Sequence, residues 1–519
     1  MSSMRLERVT DVGCICSVRA AAILGVEAVP VSVEVSVSNG LPCFSIVGMP
    51  DAAVRESQER VRAALKACGF VIPSQRIVVN LAPGSIKKTG TGFDLPIAVA
   101  LLAATGQIAQ SYVEGWLWVG ELSLDGAVRS TRGLLSYELA ARSAELKLAV
   151  APEAADAVDL DGLELFAISS ILDLRSAQLP RYSPVKRQAD DAVVDFASIA
   201  GHAPAKRALQ IAAAGGHGII MNGPPGSGKT LLASALPSIL PPLTEDERLR
   251  SACIHSVAGE SVASVLSGVR PFRHPHHSAT VAGLIGGGTP IRPGEVSLAS
   301  GGVLFLDELP EFSPHALQAL RQPMEQGYVT ITRANATVSM PAKFVLVAAA
   351  NPCPCGYFGD PVRRCTCTTA QISAYRNRIG GPLMDRIDMH IDVWRIDARE
   401  MMAGSDDGLS SAVLSEGVMA AREFKSWRKA ADGKNAGREM ARRAGRASDG
   451  GSLAELVSEC RLSRSAQSLM EEMGAAYALS GRGISKVLAV ARTIADLSQR
   501  ERVDDSCLLE ALGYRARQS

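Results

Sequence analysis

The chain reads as an α/β protein, with a parallel-sheet core in its middle, a mixed α and β segment before that core and a helical segment after it. Two observations predict the core. Gly223-Pro-Pro-Gly-Ser-Gly-Lys229-Thr230 lies between strand-like Gly218 to Met221 and helix-forming Leu231 to Leu236, and the apolar run Val303 to Leu306 ends in Asp307-Glu308. A third observation sets the preceding segment apart: Val31-Ser-Val-Glu-Val-Ser-Val37 alternates strictly, as a half-buried strand must, because successive side chains point to opposite faces.

The glycine-rich stretch Gly223, Pro224, Pro225, Gly226, Ser227, Gly228 turns backbone N–H groups and a helix N-terminus toward a polyphosphate. Lys229 reaches the terminal phosphates and the Thr230 hydroxyl ligates Mg²⁺. At the end of the acidic strand, Asp307 can hold the Mg²⁺ shell and Glu308 can polarise an attacking water. Either half alone has an ordinary reading, a glycine-rich loop or a core strand meeting solvent. In this order, and with these flanks, they imply ATP hydrolysis.

The remaining elements follow in order. Asn39-Gly40 reads as a turn after the alternating strand; Asp51 to Cys68 places Val54, Val61, Ala64 and Leu65 at helical spacing; Arg76 to Leu81 reads as a strand. An apolar helix from about Leu95 to Ala104 precedes strand-like Trp116 to Val119 and a turn at Asp125-Gly126. This mixed segment is assigned to residues 1–179, and polar, proline-bearing 180–194 to a linker. Residues 195–400 alternate strands and helices around the phosphate motif, with Ser313-Pro314 as N-cap and first position of a helix over Ala316 to Leu320. Val329 to Thr332 and Thr337 to Met340 flank Arg333 to Ala336 as a hairpin, and Phe344 to Ala350 reads as a strand. Residues 401–451 are poor in large apolar side chains and carry Arg438, Arg442, Arg443 and Arg446, which reads as a solvated connection or exposed helix in preference to a DNA contact. Residues 452–519 are helical in pattern, with Ile484 to Leu497 the clearest amphipathic helix.

Composition restricts the function classes. The 519 residues carry 54 basic and 53 acidic side chains, so any polyanion site must be local, not a global field. No apolar run is long enough to span a bilayer and Met1 to Arg8 lacks a signal-peptide core, so no membrane association and a cytoplasmic location are expected. Eleven cysteines in such a chain argue against a disulfide framework. Cys353-Pro-Cys355 and Cys365-Thr-Cys367 differ from the other seven: two close pairs, joined by a loop with Gly356, Gly359 and Pro361, can converge as four thiolates around one tetrahedral Zn²⁺, with reduced free thiols as the alternative. His274, His276 and His277 have no acidic residue beside them at ligand spacing, which favours a subunit or DNA contact over a metal.

Further motifs carry a family resemblance. Pro271-Phe-Arg-His-Pro-His-His-Ser278, Arg292-Pro-Gly-Glu-Val-Ser-Leu298, Asp307-Glu-Leu-Pro-Glu-Phe312 and Gly381-Pro-Leu-Met-Asp-Arg-Ile-Asp388 resemble the magnesium-chelatase-like branch of AAA+ ATPases. Asn39 to Ser57 and Asn80-Leu-Ala-Pro83 resemble the YifB/ComM family, and the likeness covers nearly the whole chain. That family places a Lon-protease-type domain before an AAA+ core, with an insertion in the core's second helix, and a helical lid after it; it includes a hexameric DNA helicase that promotes branch migration during natural transformation. The resemblance implies that Asn351 is the polar sensor orienting the lytic water, that Arg386 is an arginine finger reaching a neighbouring subunit, and that Arg482, or failing it Arg492, is the lid sensor. A surface ion pair with Asp385 or Asp388 is the alternative for Arg386. In related rings such hairpins line the central pore, so Arg333 is a candidate DNA contact, an ordinary surface hairpin being the alternative. The Lon-type catalytic serine and lysine fall on Gly92 and Leu135, with Thr91 one place from the serine position, so no protease activity is expected.

The resemblance implies an ATP- and Mg²⁺-dependent DNA motor of the YifB/ComM type, a homo-oligomer of six subunits. The ATPase subunit of a metal chelatase and a protein-remodelling ATPase are the alternatives.

Overall fold

In the computed structural model the described residues are 14–515 apart from 155, 177, 185–192, 289, 334–335, 398–401, 403–407 and 437–452. The alternating stretch lies inside a seven-stranded sheet. β1 (Cys14–Leu24) pairs antiparallel with β2 (Glu27–Ser38), whose Val31, Val33, Val35 and Val37 are buried while their neighbours are half-exposed. The chain bends at Asn39-Gly40, but no hairpin results: β3 (Cys43–Val47) lies parallel to β4 (Arg76–Ala82), which separates it from β2. Between β3 and β4, α1 (Ala52–Ala67) starts where the Asp51 carboxylate accepts from Val54 N at 2.9 Å, a cap that stabilises by about 1 kcal/mol.

α2 (Asp94–Ala104) is buried on every side, which requires a partner for its one charge. Arg60 Nε and Nη2 grip the Asp94 carboxylate at 2.6 and 2.9 Å, and Leu122 N donates to it at 3.2 Å. Without them a buried carboxylate would cost several kcal/mol. β5 (Trp116–Trp118), α3 (Leu134–Ser143), β6 (Lys147–Val150) and β7 (Leu165–Ala167) complete the layer, with strand order β3-β4-β2-β1-β5-β6-β7.

A second sheet is wholly parallel. α4 (Ala203–Gly215) leads to β8 (Ile219–Asn222), α5 (Lys229–Ala235) and α6 (Glu245–Ala258); β9 (Phe272–Arg273) and β10 (Val303–Leu306) follow. α7 (Pro314–Ala319) begins at Ser313, whose Oγ accepts from Ala316 N at 3.2 Å, and α8 (Arg321–Gln326) continues into the antiparallel hairpin β11 (Tyr328–Arg333) and β12 (Ala336–Pro341). β13 (Val345–Ala350) and β14 (Met389–Asp392) close the order β9-β10-β13-β8-β14. Ridges of Val, Ile, Leu and Phe fill both faces of β10, as a strand covered on two sides requires. Asn222, Leu306 and Ala350 thus end side by side, and the loops after them share one edge, where open parallel sheets bind ligands.

The 401–451 segment, expected as a solvated connection or exposed helix, contains α9 (Ser411–Ala436), which is not fully exposed but packs on α4. Its buried face uses Leu414, Val418 and Ala421, and Arg428 is 1% exposed with Nε 3.3 Å from Asp496 Oδ1. With only Leu414 and Val418 as large apolar residues beside Ala421 and a paired arginine, the face gives a weak signal in the sequence. Arg438, Arg442, Arg443 and Arg446 lie outside the described residues. α10 (Leu453–Cys460), α11 (Arg464–Ala476), α12 (Gly481–Leu497) and α13 (Asp505–Gly513) form the helical region that the periodicity predicts. No helix among the described residues is long and apolar enough to cross a membrane.

The first sheet is joined to the second by side-chain packing. Leu135 of α3 is buried in a cluster with Leu243, Ala252 and Cys253, so α3 lies on α6, and Gly133 N donates to Ser256 O at 3.0 Å.

Candidate active site

The turn from β8 into α5 is built by glycines where only glycine fits. A Cβ on Gly223 would stand 2.0 Å from Val393 O, and Gly226 and Gly228 have φ of +75° and +82°, a region that side chains with a Cβ rarely adopt. Lys229, the first residue of α5, is 8% exposed and its Nζ donates to Gly223 O and Pro224 O at 2.8 and 2.9 Å. Burial pulls its pKa down, while Asp307 and Glu308 oppose that shift. The ammonium is therefore held over the loop by acceptors that phosphate oxygens can replace.

Thr230 Oγ1 donates to Asp307 Oδ2 at 2.9 Å although the two residues are 77 positions apart. A hydroxyl and a carboxylate oxygen at this separation can share one Mg²⁺ shell. Glu308 follows in the left-handed region at φ +50°, ψ +47°, a conformation that costs a non-glycine residue about 1–2 kcal/mol and is concentrated at functional sites. Its amide donates to Asp307 Oδ1 at 2.9 Å, and His277 Nδ1 lies 3.3 Å from its Oε2.

That histidine neighbour of Glu308 is a contact that sequence reasoning missed. Of the three expected at a subunit or DNA contact, His274 packs on Phe305 at 4.8 Å between ring centroids, His276 bonds Ser278 Oγ at 2.8 Å, and His277 faces Glu308. The short strand β9 explains the placement: Phe272 and Arg273 pair with Val303 and Leu304, bringing the residues after β9 beside those after β10. A histidine run one turn beyond a strand-like dipeptide was the available signal.

Asn351 stands at the end of β13, between the strands that deliver Lys229 and Glu308. The cysteine loop follows at once. Sγ atoms of Cys353, Cys355 and Cys365 are 3.4 to 3.6 Å apart, and all four, with Cys367, lie within 4.8 Å of one another. A tetrahedral ion with metal–sulfur bonds of about 2.3 Å needs sulfurs about 3.8 Å apart, so the four thiols can hold a metal ion. Backbone N–H groups of Thr366 and Tyr357 pull the Cys355 thiol down, while the neighbouring Cys365 and Cys367 thiols are pushed up, so the cluster shares negative charge unevenly. The loop is fastened to the phosphate loop: Arg395 Nη2 donates to Pro225 O at 2.9 Å, Arg395 and Arg363 stack on Tyr357, and a Cβ on Gly356 would meet Pro225 Cδ at 2.6 Å.

Arg386 Nη2 contacts the Glu325 carboxylate of α8. Asp388 instead meets His217 at 3.5 Å and Lys486 at 3.5 Å; burial raises its carboxyl, but these two partners hold it below the usual range. Arg482 is exposed in the first turn of α12, whereas Arg492 is 3% exposed, with Nη2 2.9 Å from Asp496 Oδ1 and Nη1 donating to Glu501 O at 2.9 Å. Arg333 ends β11, exposed, on the side of the hairpin that faces the first sheet. Gly92 has no side chain and Leu135 is fully buried; Thr91 Oγ1 donates to Glu121 Oε2 at 2.5 Å.

A family described as "Magnesium chelatase, subunit ChlI" matches residues 195–401, "Subunit ChlI of Mg-chelatase" matches 33–155, and "Magnesium chelatase, subunit ChlI C-terminal" matches 408–515. The chain is 39% identical to the "Competence protein ComM" of Haemophilus influenzae over 95% of its own length and 96% of that protein's. It is 40% identical to the "Uncharacterized protein YifB" of Salmonella typhimurium with 95% and 96% covered. Its likeness to the "Magnesium-chelatase subunit ChlI" of Guillardia theta, at 29% identity, spans 26% of this chain and 44% of that one.

Proposed function

The chain belongs to the YifB/ComM family of magnesium-chelatase-like AAA+ ATPases, and from that premise we propose that it is an ATP-driven ring motor acting on DNA, a helicase that promotes branch migration during natural transformation and works in the cytoplasm. The observation that carries the ATPase part is the meeting of Thr230 with Asp307 beside Lys229 and Glu308. Gly223 to Lys229 hold the phosphates, Thr230 and Asp307 hold Mg²⁺, Glu308 polarises the water, and Asn351 orients it. Bound Mg²⁺ neutralises charge that develops on the phosphates. His277 keeps the Glu308 carboxylate turned toward β9.

Arg386 acts as the finger toward a second copy, its contact with Glu325 holding it in place until a neighbour's nucleotide takes over the pairing. Arg482 is the lid sensor: it is exposed, while Arg492 is committed to Asp496 inside the helical region. Six copies close the ring. Residues 1–179 form a Lon-protease-like domain without the Ser-Lys dyad, 195–400 the AAA+ core and 452–519 the lid.

The DNA reading is supported by full-length likeness to a competence protein, whereas the Guillardia theta chelatase subunit aligns with 26% of the chain. ATPase activity of the purified protein should rise when single-stranded or forked DNA is added, and a forked duplex should be displaced. Absence of both DNA binding at low salt and stimulation would leave the protein-remodelling and chelatase readings. Arg333→Gln should weaken DNA binding across sequences alike and lower the salt slope by about 1, because one phosphate contact releases about one counterion.

Zn²⁺ held by Cys353, Cys355, Cys365 and Cys367 fits the observed sulfur spacing and fixes the loop that abuts Pro225. Protein prepared without chelator should contain one zinc per chain, and Cys353→Ser should lose it together with nucleotide affinity. Metal analysis that returned no zinc would leave the thiols free.

A further inference from the structure

A cavity of about 820 Å³ lies away from the phosphate loop, between the loops of the first sheet and the β11–β12 hairpin. Lys87, Arg132, Arg292 and Arg333 line it, each from a different segment of the chain, against one carboxylate, Glu121. Glu121 is already engaged by Thr91. Among the described residues none of the four cations makes an ion pair, so four positive charges less one negative leave the cavity at +3. Four like charges gathered around one space repel each other, and a fold keeps them there at a cost that a multiply charged anion offsets. Arginines suit a phosphate in particular, because the guanidinium fork matches two of its oxygens.

The other walls define the rest of the ligand. Ser85, Thr89 and Ser130 offer hydroxyls near the cations, and Ile86, Ile291 and Val338 give an apolar side. A volume of this size suits an organic ester of nucleotide dimensions and exceeds what a bare inorganic ion fills. We infer that this cavity is a second anion site, separate from the ATP site, that binds the phosphate groups of a nucleotide, supplied either as a free nucleoside phosphate or as a short stretch of a nucleic acid strand. The ligand joins Arg132, next to α3, to Arg333 on the hairpin, and so couples the first sheet to the hairpin. Arg333 is also the DNA contact proposed above, so with a strand as the ligand the inference rests on that reading, and with a free nucleoside phosphate it stands apart from it.

The test uses the full-length Lys229→Ala protein, in which the ATP site no longer holds phosphates, with inorganic pyrophosphate as the probe. Calorimetric titration should show one equivalent bound and thermal unfolding should shift upward. Adding Lys87→Gln or Arg132→Gln should weaken binding about tenfold each and remove the thermal shift, while Arg500→Gln, at a distant surface pair, should change neither. Displacement of pyrophosphate by a short oligothymidylate identifies the strand as the source; displacement by a mononucleotide and not by the oligomer identifies the free ester. No binding of pyrophosphate, mononucleotide or oligomer would overturn the inference. Binding that survives both Lys87→Gln and Arg132→Gln would overturn it as well. Both of those side chains reach solvent, so loss of folding, read from the unfolding curve without ligand, can be told apart from loss of the site.

Discussion

Glu308→Gln should leave ATP bound and slow its hydrolysis by about 10²–10⁴-fold, the range a positioned general base contributes. Gln keeps the size and hydrogen-bonding reach of the side chain but cannot polarise water toward attack. The Glu308 side chain is 51% exposed, and its amide still bonds Asp307, so the exchange should spare the fold. Lys229→Ala should instead fail at the earlier step, because its ammonium is the phosphate-facing charge of the loop. Nucleotide binding measured by fluorescence, beside steady-state phosphate release, separates the two. Parent-rate hydrolysis by the Gln variant would remove Glu308 from the catalytic role.

Arg386→Ala should lose about 10³–10⁵-fold in hydrolysis, as removal of a trans-acting arginine does, or about 4–7 kcal/mol of transition-state stabilisation. Mixed with Glu308→Gln, activity should return. In a mixed ring some interfaces set an intact Arg386 against an intact Glu308, and only shared sites permit this. A monomer with full activity, or a mixture no better than its parts, would leave Arg386 a structural role, in its ion pair with Glu325.

Much of this site was legible because phosphate chemistry needs fixed residue types at short spacing. Lys229 and Thr230 are adjacent to the glycines that position them, and Asp307 ends an apolar strand whose partner in the sheet is implied by the motif. The cysteine pairs were readable for the same reason. His277 was not, because its meeting with Glu308 depends on the pairing of β9 with β10, which no local pattern encodes. Asn39-Gly40 announced a bend but not that β4 would separate β2 from β3. α9 gave a weak signal because of the chemistry of its own buried face, where Ala421 and a paired Arg428 stand beside only Leu414 and Val418 as large apolar residues.

The seam of α3 on α6 has a mechanical meaning. Leu135, Leu243, Ala252 and Cys253 share one apolar interior, so separating the two sheets would bring that surface into water, at about 25 cal/mol for each Å² uncovered. Freedom of movement is therefore set by the seam and not by the polar composition of the chain that links the sheets. Only residues 236–244 separate α6 from α5, the helix that follows the phosphate loop. A displacement of α6 would therefore have to carry α3 with it or uncover their shared apolar surface.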